Sequence, residues 1–306
     1  MNTLVTGSSG LIGTALVDRL LASGQVTRLV RDEPAPGSRT VDVRWDPAAG
    51  TVDRAGLEQA GPVDGVVHLA GAGIGDRRWT RTRKQVVLES RTASTHLLVD
   101  TLCRLSPPPA VLVSGSAVGY YGDRGDEELS ETSSAGTGFL ADVCRAWESE
   151  AGPAAAAGIR TVLLRTGIVL SRAGGALGRQ LPLFRLGLGG RTGSGRQFRS
   201  WITLEDEVGA IEHCLGDPGV SGPVNATAPH PATDAELAAA LGAALHRPAA
   251  IPVPAAALRL VLGSEMAGQL VLGGQRVLPD VLQARGYRFA HPELDEAVRS
   301  VLTPAG

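Results

Sequence analysis

A run of evenly spaced glycines near the start of the chain is the first feature able to do chemistry. Thr6-Gly7-Ser8-Ser9-Gly10-Leu11-Ile12-Gly13 follows an apolar run and precedes a helical pattern. Glycines at that spacing, between a strand and a helix, suit a loop that cradles a pyrophosphate. Gly7 permits the tight turn, Gly10 lets the backbone approach a phosphate, and Gly13 lets the helix pack closely. The unpaired N–H groups around Ser9, Gly10, Leu11 and Ile12 would then face the anion. A glycine-rich turn that only packs is the plainer alternative. A Walker-type loop is excluded, because it needs a lysine and the only lysine is Lys84.

A second position would select the cofactor. An acid at the end of the second strand accepts from a ribose 2′-OH, whereas an arginine pairs with a 2′-phosphate. The chain reads Val30-Arg31-Asp32, with Arg31 first, which favours NADPH over NAD. One charge-assisted bond is worth roughly 1.5–3 kcal/mol, or about 10- to 100-fold in preference. Asp32 pulls the other way, and a solvated charge pair in a turn is the alternative.

These groups need elements to hold them. Residues 3–6, 26–30, 63–70, 110–114 and 161–170 read as strands; residues 13–23, 81–105 and 139–151 read as helices. Val66-Val67-His68-Leu69-Ala70 is a continuous apolar run of the kind found in a parallel strand covered on both faces. The alternation predicts an α/β fold, a Rossmann doubly wound parallel sheet with right-handed crossovers. After Ser171 the texture changes. Residues 174–199 are rich in Gly and Arg and read as mobile or ligand-dependent, while 206–215, 234–245 and the stretch up to Leu302 read as mainly helical. The expected organisation is a dinucleotide-binding domain over 1–224, with a Gly/Arg-rich cleft segment at 171–204. A small, mainly helical C-terminal substrate domain follows over 225–306.

Composition narrows the function classes. The 306 residues are 43% apolar and 20% charged, enough for one large or two modest globular domains. A formal charge of −2 leaves no basic field for nucleic acid or an acidic membrane, and no apolar run approaches the roughly 20 residues of a membrane span. No signal-peptide pattern is read at the start. Cys103, Cys144 and Cys214 lie far apart, without a Cys-x-x-Cys or a His cluster, so neither a disulfide framework nor a metal site is expected. The expected compartment is the cytoplasm, and the expected partner is a small molecule, bound by a monomer or homodimer.

Further motifs resemble those of the extended short-chain dehydrogenase/reductases, the NAD-dependent epimerase/dehydratase superfamily. They are the glycine loop, Val67-His68-Leu69-Ala70-Gly71, Ser114-Gly-Ser116-Ala-Val-Gly-Tyr-Tyr-Gly122, Leu164-Arg165-Thr-Gly-Ile-Val169 and Phe198-Arg-Ser-Trp-Ile-Thr-Leu-Glu-Asp206. Arg78-Trp79, Ser90-Arg91, Leu183-Phe-Arg-Leu-Gly-Leu-Gly-Gly190 and Val271-Leu-Gly-Gly-Gln-Arg276 resemble an atypical branch, called epimerase family proteins, of unknown substrate. The resemblance implies that Leu69, Ala70, Gly71 and Ser114 line the cofactor cleft. It also implies that Arg91 reaches a cofactor phosphate, that Val169 lines the nicotinamide pocket, and that Ser116 hydrogen-bonds a substrate carbonyl.

The same resemblance exposes a gap. Ordinary members use a Tyr and a Lys four residues later to move the proton. The tyrosines here are Tyr120, Tyr121 and Tyr287, and none has a Lys at that spacing. Aligning Trp147-Glu148 with the family helix puts Leu140 at the Tyr position and Cys144 at the Lys position. Leu140 cannot move a proton, and Cys144 reads as a packing residue. Ser116 is a poor acid alone and could instead cap a turn. Tyr120 could swing in as a substitute acid, although no cation is evident to activate it, and packing beside the nicotinamide is its alternative role. Arg185, Arg191, Arg196 and Arg199 could bind an anionic substrate or simply be solvated. Trp79 and Trp201 could wall the pocket or belong to the core. His68 reads as a hydrogen-bonded core residue and Asp206 as a helix cap or network residue. The expectation is an NADPH-binding oxidoreductase or epimerase with a degenerate site, acting on a small anionic or sugar-nucleotide-like molecule. A non-catalytic redox sensor or regulatory protein is the alternative.

Overall fold

The structure, a computed structural model, describes residues 1–32 and 38–303. In chain order its strands are β1 (Asn2–Thr6), β2 (Gln25–Val30), β3 (Val41–Asp46), β4 (Thr51–Val52), β5 (Gly65–His68), β6 (Val111–Ala117) and β7 (Glu128–Leu129). They continue with β8 (Arg160–Thr166), β9 (Ile168–Leu170), β10 (Phe198–Arg199), β11 (Trp201–Thr203), β12 (Gly222–Ala226), β13 (Ala232–Thr233) and β14 (Arg276–Val277). The helices that matter to the site are α1 (Leu11–Leu20), α2 (Arg54–Gln59), α3 (Arg81–Cys103), α4 (Phe139–Ala156), α5 (Gly175–Arg185) and α6 (Leu204–Gly216). Beyond them lie α7 (Asp234–Leu245), α8 (Ala255–Leu262), α9 (Ser264–Ala267), α10 (Asp280–Ala284) and α11 (Leu294–Leu302).

One sheet of eight strands runs β12-β8-β6-β5-β1-β2-β3-β4, parallel throughout except for β4. The doubly wound parallel fold expected from the sequence is therefore the one observed. Strand order reverses between β1 and β5, and the crevice of an open α/β sheet opens at such a switch point. Successive residues of the central strands feed opposite faces. Val5, Val67 and Val113 pack with Leu16, Val17, Val208 and Ile211 of α1 and α6. Leu4, Val66 and Leu112 pack with Leu57, Leu98 and Leu102 of α2 and α3. This two-sided burial explains why adjacent apolar residues, Leu4-Val5 in β1 and Val66-Val67 in β5, are all buried.

The structure departs from the sequence expectation in several places. β3 and α2 were not anticipated. The expected strand over 161–170 splits at Gly167, where a Cβ would stand 2.4 Å from the Ser200 carbonyl oxygen; beyond it β9 leaves the main sheet to pair with β11. α4 continues past residue 151 through Pro153 to Ala156. Most informative is α5, an ordered helix within the segment read as mobile. Its Leu177, Leu181 and Phe184 fall on one face and are buried, but the intervening Gly, Arg and Pro disguise that stripe. The same core takes in Trp201, Leu241 of α7 and Val298 of α11, so the cleft segment and the C-terminal helices share their packing.

Candidate functional site

The glycine loop leaves β1 at the switch point. Gly7 adopts φ +69°, and a Cβ there would stand 2.6 Å from the Leu69 carbonyl carbon, so the turn can lie against the chain leaving β5 only as glycine. Gly13 is equally constrained. Its Cβ would fall 2.2 Å from the Gly7 carbonyl oxygen, so α1 packs onto the loop itself rather than onto the strand alone. Gly10 differs. It is exposed, and a Cβ would meet nothing nearer than the Gly7 oxygen at 3.3 Å. The chain's own packing therefore constrains Gly10 less than Gly7 or Gly13.

Gly10 stands at the N-cap of α1 with no side-chain cap. Its N–H donates to Gly7 and its carbonyl accepts from Thr14. The N–H groups of Leu11, Ile12 and Gly13 have no partner among the described residues, and no acidic side chain occupies the first turn. Unpaired donors at the positive end of a helix dipole form an anion site. Ser9 is exposed beside them, and Leu11 and Ile12 are half-buried. Gly174 and Gly175, at the start of α5, close the far side near the Leu11 side chain. Val169 is half-buried at the same rim.

On the β5 side, Leu69, Ala70 and Gly71 lead the chain away with Leu69 N–H bonded to the Thr6 carbonyl at 3.2 Å. His68 beneath them is wholly buried. Its Nδ1 lies 2.6 Å from Thr6 Oγ1 and its Nε2 lies 2.8 Å from Thr95 Oγ1. Burial, reinforced by nearby Arg91, pushes its pKa down to about 3, so the ring is a neutral strut, as the sequence suggested. Arg91 runs along Gly71 and donates from Nη1 to the carbonyls of Ala72 and Val87, both at 3.0 Å. Its guanidinium sits 5.0 Å from the Trp147 ring centre. The Ser114 hydroxyl, midway along β6 and level with His68 of β5, is buried and has no partner among the described residues. An orphaned hydroxyl, an uncapped helix and an open glycine cradle together fit a dinucleotide.

Two strands from the glycine loop, Ser116 ends a buried polar chain that sequence reasoning missed. The Ser116 hydroxyl donates to Glu148 Oε1 at 2.7 Å. Arg165 clamps the same carboxylate, Nε to Oε1 at 2.8 Å and Nη2 to Oε2 at 2.9 Å. Arg165 Nη1 donates to the Tyr121 hydroxyl at 3.0 Å, and Tyr121 donates to Asn225 Oδ1 at 2.7 Å. Although burial opposes it, the Glu148 carboxylate holds the Arg165 guanidinium above its ordinary pKa. The available signal was Arg165 itself, a charge inside a buried strand that demands a partner.

The remaining candidates sort by position. Tyr121 is fully buried in that network, and burial raises its pKa. Tyr120 is half-buried, with the Arg165 guanidinium of β8 3.5 Å from its ring centre, a stacking contact on the ring face. Cys144 donates to the Ala117 carbonyl at 3.6 Å. Burial, with Glu148 beside it, pushes the thiol up to about 11, in keeping with a packing role. Leu140 packs against Gly119, and its N–H donates to Gln269 Oε1 at 3.0 Å. Arg31, just past Val30, is exposed and has no side-chain partner among the described residues. Arg196 is exposed on the turn before β10, and no contact brings it to Ser116. Arg199 is buried against Asp234 at 3.0 Å. Trp201 belongs to the core, its indole N–H on the His230 carbonyl at 3.0 Å, and it offers no surface to a cleft. Asp206 receives the N–H groups of Ala290 and His291 and the Thr203 hydroxyl, which makes it a network residue.

Residues 3–224 match the profile of the NAD dependent epimerase/dehydratase family, and residues 253–301 match a domain of unknown function, DUF1731. Over 303 residues the chain is 44% identical to the epimerase family protein Mb2239 of Mycobacterium bovis, covering 99% of this chain and 98% of that one. It is 40% identical to the human epimerase family protein SDR39U1 over 305 residues, 99% of this chain and 100% of that one. The crystal structure of human SDR39U1 (isoform 2) with NADPH aligns with a TM-score of 0.88 at 38% identity, covering 98% of this chain and 99% of that chain. The Thermus thermophilus UDP-glucose 4-epimerase, solved with NAD, shares the fold at a TM-score of 0.74 and 22% identity, covering 98% and 97% of the two chains.

Proposed function

The chain belongs to the NAD-dependent epimerase/dehydratase family, and from that premise we propose that it is a cytoplasmic NADPH-binding protein. It acts as an atypical oxidoreductase or epimerase on a small anionic or sugar-nucleotide-like molecule. The observation that carries the proposal is the uncapped start of α1 at the β1/β5 switch point. There the unpaired N–H groups of Leu11, Ile12 and Gly13 surround the open Gly10 position. The pyrophosphate would lie on these groups, with Ser9 beside it. Leu69, Ala70 and Gly71 would flank it, Arg91 would add a cation, Val30 and Arg31 would take the adenosine end with its 2′-phosphate, and Ser114 and Val169 would take the nicotinamide end. The nicotinamide supplies or accepts a hydride when bound. NADPH in the crystal structure of human SDR39U1 supports the choice of cofactor.

Ser116 stands at the carboxyl end of β6, on the same edge of the sheet as the glycine loop. No Tyr-Lys pair is available to it, and Tyr120 is the nearest phenol that is not locked in the core. Leu140 and the inert Cys144 favour a second reading, a redox-sensing protein that keeps the cofactor without chemistry. Calorimetric titration with NADPH and NADH tests both readings. Binding of NADPH at least tenfold tighter than NADH is expected, and no binding of either removes both. Substrate-dependent oxidation of NADPH that disappears in Ser116→Ala would eliminate the sensor reading.

A further inference from the structure

We propose that Arg179 and Asp76 form a clasp across the mouth of the glycine cradle, one that must part each time a dinucleotide enters or leaves. The inference rests on the cofactor reading above and adds how exchange at that site is governed.

Two walls flank the uncapped turn of α1. The first is the chain leaving β5. It lies against the glycine loop at Gly7, where a Cβ would stand 2.6 Å from the Leu69 carbonyl carbon. From there it runs out through residues 71–76, held from α3. Ser90 Oγ receives the Ala72 N–H at 3.0 Å, Arg91 Nη1 donates to the Ala72 carbonyl at 3.0 Å, and Arg83 Nη2 donates to the Gly73 carbonyl. The second wall is the start of α5. It lies on the other side of the same turn, with Gly174 and Gly175 at the Leu11 side chain. Its packing is separate, because Leu177, Leu181 and Phe184 join the core that holds Trp201, Leu241 and Val298.

The walls meet at one side chain. Arg179, one turn into α5, donates from Nη1 to the Gly75 carbonyl at 2.5 Å and from Nη2 to Asp76 Oδ1 at 2.6 Å. Among the described residues, Arg179 supplies every hydrogen bond between this loop and α5. The contacts close a circuit: Gly7 to Leu69, along the loop to Asp76, across to Arg179, back to Gly175 and on to Leu11. A pyrophosphate on the Leu11 and Ile12 N–H groups lies between the two walls, beneath the bridge that joins them. Gly10, Gly71 and Gly175 leave exposed backbone facing that space.

The bridge parts at low cost. The Arg179 and Asp76 side chains keep 60% and 50% of their exposure, and an ion pair so open to water is a weak tie. Asp76 also has a cation on its own wall, with Arg83 Nη2 3.8 Å from Oδ2, so the carboxylate is not left alone when Arg179 swings away. A clasp that spans the mouth without touching the cofactor acts on passage and not on affinity. Parting it speeds entry and exit by one factor and leaves Kd unchanged. A side chain bound directly to a cofactor phosphate behaves otherwise, since its loss speeds exit alone and weakens Kd.

Stopped-flow fluorescence of the full chain reads both rates: association on mixing with NADPH, and dissociation on chasing bound NADPH with excess NADP⁺. Arg179→Met and Asp76→Asn are each expected to raise both rates about fivefold, with Kd from calorimetry within about twofold of wild type. Asp100→Asn breaks a similarly exposed pair with Arg104 at the far end of α3 and should leave both rates alone. Unchanged rates in the clasp variants, a rise in dissociation alone, or equal acceleration in Asp100→Asn would overturn the proposal. Hydrogen exchange measured without cofactor separates this failure from failure of the cofactor reading. Residues 71–79 and 174–180 should both exchange faster in Arg179→Met than in wild type, whether or not NADPH binds. Unchanged exchange in either segment would overturn the clasp.

Discussion

Glu207 gives the sharpest test of how the sheet is held on its α6 side. The residue is wholly buried; Oε1 accepts from Thr166 Oγ1 at 2.7 Å and Oε2 has no partner among the described residues. Burial pushes its pKa up from 4.5 to about 8, against the weaker downward pull of the Thr166 bond. Between those values the folded protein holds a proton that the unfolded chain has released. Stability must then fall as pH rises through that window and level off above it. At about 1.4 kcal/mol per unit, the loss between pH 6 and pH 8 is roughly 2 kcal/mol. Glu207→Gln keeps an acceptor for Thr166 and cannot ionise. Urea unfolding of both proteins at pH 6, 7 and 8 isolates the effect, because the contributions of the six histidines cancel in the difference. The variant should gain about 2 kcal/mol on wild type across this range. Parallel profiles would refute the burial argument.

The other predictions concern the cradle and the buried pair. Gly13→Ala puts a Cβ 2.2 Å from the Gly7 oxygen and should cost about 1–3 kcal/mol in thermal or urea unfolding. Gly10→Ala puts a Cβ 3.3 Å from the Gly7 oxygen, a milder contact than at Gly13, so it should lower the melting temperature less than Gly13→Ala while NADPH affinity falls about tenfold or more. Arg31→Ala should weaken NADPH by about 10- to 100-fold in calorimetry and leave NADH nearly unchanged; equal losses would show that another residue reads the 2′-phosphate. Arg165→Met leaves Glu148 buried and unpaired, and should destabilise the protein by about 3–5 kcal/mol, much of it restored in the double variant with Glu148→Met.

The sequence and the structure agree best where one physical demand dominates. Leu4-Val5 of β1 and Val66-Val67 of β5 bury side chains on both faces of the sheet, and Gly7 and Gly13 must lack a Cβ, so both the sheet and its loop could be read directly from residue type. α5 was hidden because Gly175, Gly178 and Pro182 dilute the stripe formed by Leu177, Leu181 and Phe184. Trp201 could be read as pocket or core, and only its contact with His230 and the packing around it decide for the core. The chain from Ser116 to Asn225 joins β6, α4, β8, the turn after β6 and β12. No local periodicity records a network in which directly bonded partners are up to 104 positions apart.

The account as a whole turns on the anion site at the start of α1, and a crystal structure of the protein with NADPH examines it most directly. The pyrophosphate should lie within hydrogen-bond distance of the Leu11 and Ile12 N–H groups, with Gly10 beneath it and the adenosine phosphate against Arg31. A cofactor bound elsewhere, or a pyrophosphate held away from those amides, would contradict it.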